Sequence, residues 1–291
     1  MSRELLDINT GEIITGVSRV ITQSQEPSIE EYKKKKKLYT YMYARHGSFF
    51  FYKYDTLLED IHDDVATAFR FLYVCSFADK NFHLVLPDGR LCNKKDHFTE
   101  IFQFPKSSSM GFLNKLLEYG LVYADTEGIY RVNETYYAYG MPDDDFKQHS
   151  IRTFNRAVQD LYRRLSAKQH AFGGEFLKLV PYINIFNNTI CKNIAKKNLD
   201  SEDIMTKEEI QEVLRPSSEY GKKLRLKLEK MIINDELLIA KFKAGDDIHY
   251  IVNPRFFYRG NDINDLRSLI AHFDISSNVT KQKKPMLRKG V

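Results

Sequence analysis

Apolar residues recur along this chain in two periods, three-to-four residues and two residues, which predict an alternation of helices and short hairpins. The segment Leu5 to Ile14 has two short apolar stretches around Asn9-Thr10-Gly11, the composition of a hairpin whose glycine supplies a positive φ. Polar residues from Thr15 to Glu31 read as a linker. From Asp60 onward, Ile61, Val65, Ala68, Phe69, Leu72, Tyr73 and Cys75 sit at helical spacing and predict a core helix. Phe82 to Leu86 and Arg90 to Cys92 flank Pro87-Asp88-Gly89 as a hairpin. A short helix is expected over about 96–104, interrupted by Pro105. Ser107, Ser108 and Ser109 then offer caps to a helix through Leu113, Leu116 and Leu117, closed by Gly120 as a left-handed cap. A hairpin follows between Leu121-Val122-Tyr123 and Gly128 to Val132.

The second half repeats this order. Ile151, Phe154, Val158, Leu161, Tyr162 and Leu165 form one apolar stripe, with Arg152, Arg156, Arg163 and Arg164 opposite, and predict an amphipathic helix. A further helix is expected from Glu175 through Phe186, kinked or ended at Pro181. Thr206 to Glu209 is a capping box that opens a helix through Ile210, Val213 and Leu214, stopped by Pro216. Ser217 or Ser218 caps a long helix through Leu224, Leu228, Met231 and Ile232. A hairpin over Leu237 to Val252 closes the half.

The two halves also echo each other residue by residue. Ser107-Ser108-x-x-Gly111 matches Ser217-Ser218-x-x-Gly221. Tyr130-Arg131-Val132-Asn133, followed by Tyr136-Tyr137 and Gly140, matches Tyr250-Ile251-Val252-Asn253, followed by Phe256-Phe257 and Gly260. Two helices joined by a tight turn and followed by a hairpin is the layout of a winged helix-turn-helix. The expected fold class is therefore mainly α with small β-hairpin wings: tandem winged helix-turn-helix domains joined by an amphipathic helix. The expected boundaries are 1–31 for the amino-terminal hairpin and linker, 32–141 for the first domain, 142–170 for the linker helix, 171–275 for the second domain and 276–291 for a basic, disordered tail.

Charge separates the halves. The 291 residues carry a net charge of +5. Residues 151–291 hold 26 Lys and Arg against 17 Asp and Glu, whereas residues 1–150 hold 18 against 22. A basic carboxy-terminal half favours a polyanionic partner, and nucleic acid above all. Within it, the helix expected after Pro216 carries Lys222, Lys223, Arg225, Lys227 and Lys230, while its counterpart after Pro105 has few cations. Phosphate neutralisation needs cations at the groove. The expected DNA contacts are accordingly Ser217, Ser218, Tyr220, Lys222, Lys223, Arg225 and Lys227, with Lys241 and Lys243 from the wing. A plain capping or packing role is the alternative for each. The run Lys33 to Lys37, followed by Tyr39, Tyr41 and Tyr43, has two readings, a phosphate-tracking element or a solvated helix face.

Residues 172–273 resemble the RepL family of plasmid replication initiation proteins. The likeness rests on the helix-turn-helix, the Leu237-to-Val252 hairpin and its exit Val252-Asn253-Pro254-Arg255-Phe256-Phe257-Tyr258-Arg259-Gly260-Asn261-Asp262. The segment Leu6-Asp7-Ile8-Asn9-Thr10-Gly11-Glu12-Ile13-Ile14 is similar to a stretch near the start of those proteins. The resemblance implies a winged-helix protein that binds origin DNA and helps start replication. That family is much shorter and lacks a second amino-terminal copy, so transcriptional control in a phage or mobile element is the alternative role. A protein-interaction module without specific DNA binding is the alternative from another class.

Enzymatic chemistry finds no anchor. All eight histidines are isolated, which disfavours a metal-dependent nicking strand. No phosphate-loop pattern occurs. Asp63-Asp64 and Asp143-Asp144-Asp145 fit a helix start and a linker better than a Mg²⁺ site. The three cysteines form no CxxC pair and read as reduced, buried thiols. No cofactor is expected. The expected partners are double-stranded DNA, a second protomer and a host replication or transcription protein. Charged residues interrupt the amino terminus and the apolar runs, so neither a membrane partner nor a signal peptide is expected, and the cytoplasm is the expected location.

Overall fold

In a computed structural model, residues 3–6, 13–17, 26–55, 57–140, 142–215, 218–233, 236–244, 247–260 and 262–282 are described. Strands β1 (Arg3–Leu6) and β2 (Ile13–Val17) pair antiparallel, as the first apolar segments predict. The expected turn Asn9-Thr10-Gly11 lies outside the described residues, as does the expected tail beyond residue 282, whereas residues 276–282, also expected to be disordered, continue the helix Ile263–Gln282. The expected linker is shorter than its polarity suggests. From Glu26 the chain is helix α1 (Glu26–His46), which contains the lysine run and buries Leu38 and Met42.

The first half continues with β3 (Phe49–Lys53), α2 (Leu57–Asp60), α3 (Val65–Cys75), α4 (His97–Phe102), α5 (Lys106–Glu118), β4 (Val122–Ala124), β5 (Tyr130–Val132) and β6 (Tyr137–Ala138). Asp64 caps α3, accepting from the Thr67 amide at 3.1 Å and hydroxyl at 2.9 Å. The serines after Pro105 do not cap α5. They lie in its first turn, where Ser109 Oγ donates back to Phe104 O at 3.0 Å. Gly120 is left-handed (φ +64), and Leu121 N reaches Leu116 O at 2.9 Å, closing α5 as its sequence predicts.

The second half holds α6 (Asp144–Gln148), β7 (Ser150–Phe154), α7 (Asn155–Arg164), α8 (His170–Leu177), α9 (Lys207–Leu214), α10 (Ser218–Leu228), β8 (Ile232–Ile233), β9 (Glu236–Leu237), β10 (Ile239–Ala244), β11 (Asp247–Val252), β12 (Phe257–Tyr258) and α11 (Ile263–Gln282). The helix expected from Glu175 through Phe186 starts earlier, as α8. Past Leu177 only a single 3₁₀ turn forms, over Val180–Tyr182, and it includes Pro181.

A four-stranded antiparallel sheet in the order β12-β7-β3-β6 ties the halves together. Its central pair runs from Phe49 opposite Phe154 to Lys53 opposite Ser150. β6 hangs on β3, and β12 hangs on β7. The opening strand of each half thus holds its own closing strand, and the two opening strands hold each other. Behind them α3 packs on α8 so closely that a Cβ on Gly174 would overlap the Val65 carbonyl.

The expected fold class is overturned by this sheet. With 47% helix and 19% strand the chain is mixed α/β, not mainly α with hairpin wings. Nor is the joint between the halves an amphipathic helix alone. The stripe from Ile151 to Leu165 divides into β7, inside the sheet, and α7, which buries Ala157, Val158, Leu161 and Tyr162. Arg152, expected on a solvent face, is 1% exposed. It donates to Gly260 O at 2.9 Å and lies 4.9–5.5 Å from the ring centres of Tyr39, Phe49, Phe51 and Tyr258.

The internal echo, by contrast, is carried into three dimensions. Leu84 N bonds Tyr130 O and Val132 N bonds Phe82 O, while Ile190 N bonds Tyr250 O and Val252 N bonds Asn188 O, all within 2.8–3.0 Å. Phe82 (φ +68) and Asn188 (φ +52) are both left-handed at these matching positions.

Candidate nucleic-acid interface

Helix α9 begins at the predicted capping box: Glu209 N donates to Thr206 Oγ1 at 3.2 Å, and Thr206 N donates to Glu209 Oε2 at 2.8 Å. It anchors on buried Ile210 and Leu214. Helix α10 crosses it at Gly221, where a Cβ would come within 2.5 Å of Gln211 O. That close crossing fixes which side of α10 faces inward. Leu224, Arg225 and Leu228 are buried, while Glu219, Tyr220, Lys222, Lys223, Lys227 and Lys230 are exposed.

The outward face is basic around an apolar dent. Tyr220, Lys223, Leu224, Leu226, Lys227 and Lys230 line a shallow hollow of about 310 Å³. Tyr220 is 51% exposed, and the Arg215 guanidinium lies 5.5 Å from its ring centre. Lys223 reaches Glu219 at 3.2 Å in a solvent-exposed pair, which holds it weakly. Lys222 forms no ion pair with a described residue.

Two of the expected DNA contacts are engaged elsewhere. Arg225 is 7% exposed, bonded to Glu229 and 3.3 Å from the Tyr250 hydroxyl. Lys241 binds the other oxygen of Glu229 at 2.5 Å and lies 5.6 Å from the Tyr250 ring centre. These two cations hold α10 against hairpin β10–β11, so Arg225 is withdrawn as a groove contact and Lys241 is mainly a strut. Burial pushes the Tyr250 hydroxyl up to about 12, keeping it protonated beside Arg225. Lys243 is exposed near the hairpin end, opposite Ile248. Ser217 lies outside the described residues. Ser218 is the first residue of α10, and its side chain is likewise outside them.

Sequence reasoning left Leu226 and Lys230 out of the site. Helical spacing from Tyr220 through Lys223 and Lys227 was the available signal, since positions three and four apart share a face, and Lys230 follows in the turn just past α10.

The matching helix of the first half offers different chemistry. α5 exposes Ser107, Gly111, Asn114 and Glu118. Lys106 is paired with Asp96 and Lys115 with Glu118, each at 2.9 Å. Its outward face is near neutral.

Among the described residues no group of three or more His, Cys, Asp and Glu could hold a metal ion, and no helix is long and apolar enough to cross a membrane. All three cysteines are buried and free. A comparison with protein families, curated proteins and solved structures finds no match to this chain.

Proposed function

We propose that the protein binds double-stranded DNA through α10 and acts as a replication initiator at an origin, in the cytoplasm. The observation that carries this reading is the outward face of α10. Lys222, Lys223, Lys227 and Lys230 surround Tyr220 and Leu226 there, whereas α5 in the same position of the other half is charge-balanced. Lysines on a helix whose inner side is fixed by a close crossing can meet phosphates on both strands of a major groove. In this reading Tyr220 and the apolar floor beneath it meet base edges or a thymine methyl. Hairpin β10–β11 adds Lys243 beside the groove. The initiator role is what the resemblance of residues 172–273 implies. The near-neutral face of α5, in the acidic first half, is then the side for a second protomer or a host replication protein.

The test is a titration of duplex DNA selected from a random pool. Lys222, Lys223 and Lys227 changed together to Ala are expected to weaken binding by several kcal/mol at low salt, at roughly 1 kcal/mol or more per charge-assisted contact. Unchanged affinity would sink the assignment. Mapping bound sites in the host replicon then separates roles: iterated sites beside an origin fit initiation, and sites over promoters fit transcriptional control. A stoichiometric protein partner with no selected DNA sequence would favour an interaction module instead.

A further inference from the structure

Among the described residues, α10 and α1 each gather several lysines on one exposed face. Glu30 to Lys34, Lys36 and Lys37 of α1 are all exposed, and burial begins only at Leu38. Lys33, Lys34, Lys36 and Lys37 form no ion pair with a described residue. Elsewhere the surface lysines are either paired, as at Lys106–Asp96, Lys147–Asp144, Lys192–Glu209 and Lys196–Asp203, or scattered singly and as one adjacent pair, as at Lys80, Lys168, Lys197 and Lys94-Lys95. At about 100° per residue, these four α1 lysines fall within an arc of roughly 160° that also takes in Glu30, and Leu38 and Met42 lie outside that arc. The side by which α1 docks on the body therefore leaves the lysine side facing solvent.

We propose that this lysine face of α1 is a second DNA contact, separate from α10, that grips the phosphate backbone without reading bases. The inference rests on the DNA-binding reading of α10. Lysine, as a flexible point charge, suits phosphates of any sequence, and the face holds no arginine fork that would impose geometry. An anionic membrane fits less well. A helix lying in a bilayer surface needs an apolar side to bury. Over residues 30–37 the one described aromatic or aliphatic side chain is Tyr32.

The experiment compares the full-length protein with two variants, Lys33, Lys34, Lys36 and Lys37 all changed to Ala or all changed to Arg. Each is titrated by fluorescence anisotropy against a selected duplex and a scrambled one over a range of salt. The Ala variant is expected to weaken both duplexes by the same factor and to flatten the slope of log affinity against log salt by about 2 to 4, at about 0.9 per lost phosphate contact. The Arg variant is expected to keep the slope. Circular dichroism and the melting temperature confirm that both variants fold. An unchanged slope in the Ala variant, while the α10 triple variant loses binding, overturns this inference and leaves the proposed function standing. Loss confined to the selected duplex also overturns it, because the face would then be reading sequence. If the unmodified protein binds neither duplex, and the α1 lysines govern only binding to phosphatidylserine vesicles, both proposals fall.

Discussion

Asn133 and Asn253 make the same bonds in the two halves of the chain. Each amide nitrogen donates at 3.0 Å to a backbone carbonyl before its hairpin, Gly120 O for Asn133 and Leu237 O for Asn253. Each side-chain oxygen accepts at 2.9 Å from the amide two residues on, Thr135 or Arg255. The main chain agrees too, since Asn133 N bonds Leu121 O and Asn253 N bonds Leu238 O, both at 2.9 Å. One side chain thus fastens the exit of each hairpin to its entrance.

Asn253→Ala should therefore loosen the hairpin beside α10. Asn253 is fully buried, and removing it leaves the Leu237 carbonyl and the Arg255 amide short of a partner. A destabilisation of about 1–3 kcal/mol is expected in urea unfolding, and about the same or less for the half-exposed Asn133→Ala. Equal stability of Asn253→Ala and the unmodified protein would contradict this fastening role.

The matched glycines should respond in opposite directions to alanine. Gly111 lies inside α5 with nothing within 4 Å of the added Cβ, so Gly111→Ala should raise stability by about 0.5–1 kcal/mol. Gly221→Ala would force its Cβ against Gln211 O and Arg215 O, so α10 has to move off α9. Thermal melts of the two variants should shift apart, Gly111→Ala upward and Gly221→Ala downward.

Arg225 provides a test that separates packing from recognition. Arg225→Gln removes the buried partner of Glu229 and should lower stability by about 1–3 kcal/mol. At a temperature where the variant is folded, its DNA affinity should keep the salt slope of the unmodified protein, because Arg225 does not face the groove. A slope shallower by about 0.9 would return Arg225 to the phosphate contacts.

Acid should destabilise the protein through His170. Its ring is fully buried and accepts from Arg70 Nε at 3.2 Å on Nδ1. Burial, and then the Arg70 charge, push its pKa down from 6.5 to about 3. The unfolded chain takes up the proton near 6.5 and the folded one only near 3. The contribution of neutral His170 is thus whole above about 6.5 and is lost as pH falls towards 3. His170→Gln keeps an acceptor for Arg70, and its unfolding midpoint should fall less steeply between those pH values. Parallel curves for the two proteins would refute it.

Much of this architecture was readable because it is local. Capping at Thr206, the stop at Gly120 and the helix–helix–hairpin order of both halves follow from residues close in sequence. The repeat was readable because Asn133 and Asn253 sit in matching strings. The sheet was not, and the reason is physical. Phe49-Phe50-Phe51-Tyr52 is buried on both faces, so it shows no alternation to mark it as a strand. Ser150–Phe154 precedes a helix whose apolar spacing runs smoothly back into it, and only pairing with β3, about a hundred residues away, makes it a strand. For the candidate site, positive charge singled out Lys222, Lys223 and Lys227, and all three are exposed. It could not foresee that Glu229 would draw Arg225 and Lys241 together across α10 and β10. Sequence shows how many cations there are, and tertiary pairing decides which of them remain available.

The order β12-β7-β3-β6 sets where the chain can be cut. A truncation beginning at residue 171 would keep α9, α10 and their hairpin but remove β7, the strand on which β12 hangs. Phe257 and Tyr258, now buried, would become an unpaired edge next to a vacated sheet position, a surface that recruits other chains. Beginning at residue 142 keeps β7 with β12 but uncovers the side of β7 that β3 now occupies. Either fragment carries an open seam, so the shortest well-behaved form of the basic half is one that still brings Phe49–Lys53 with it.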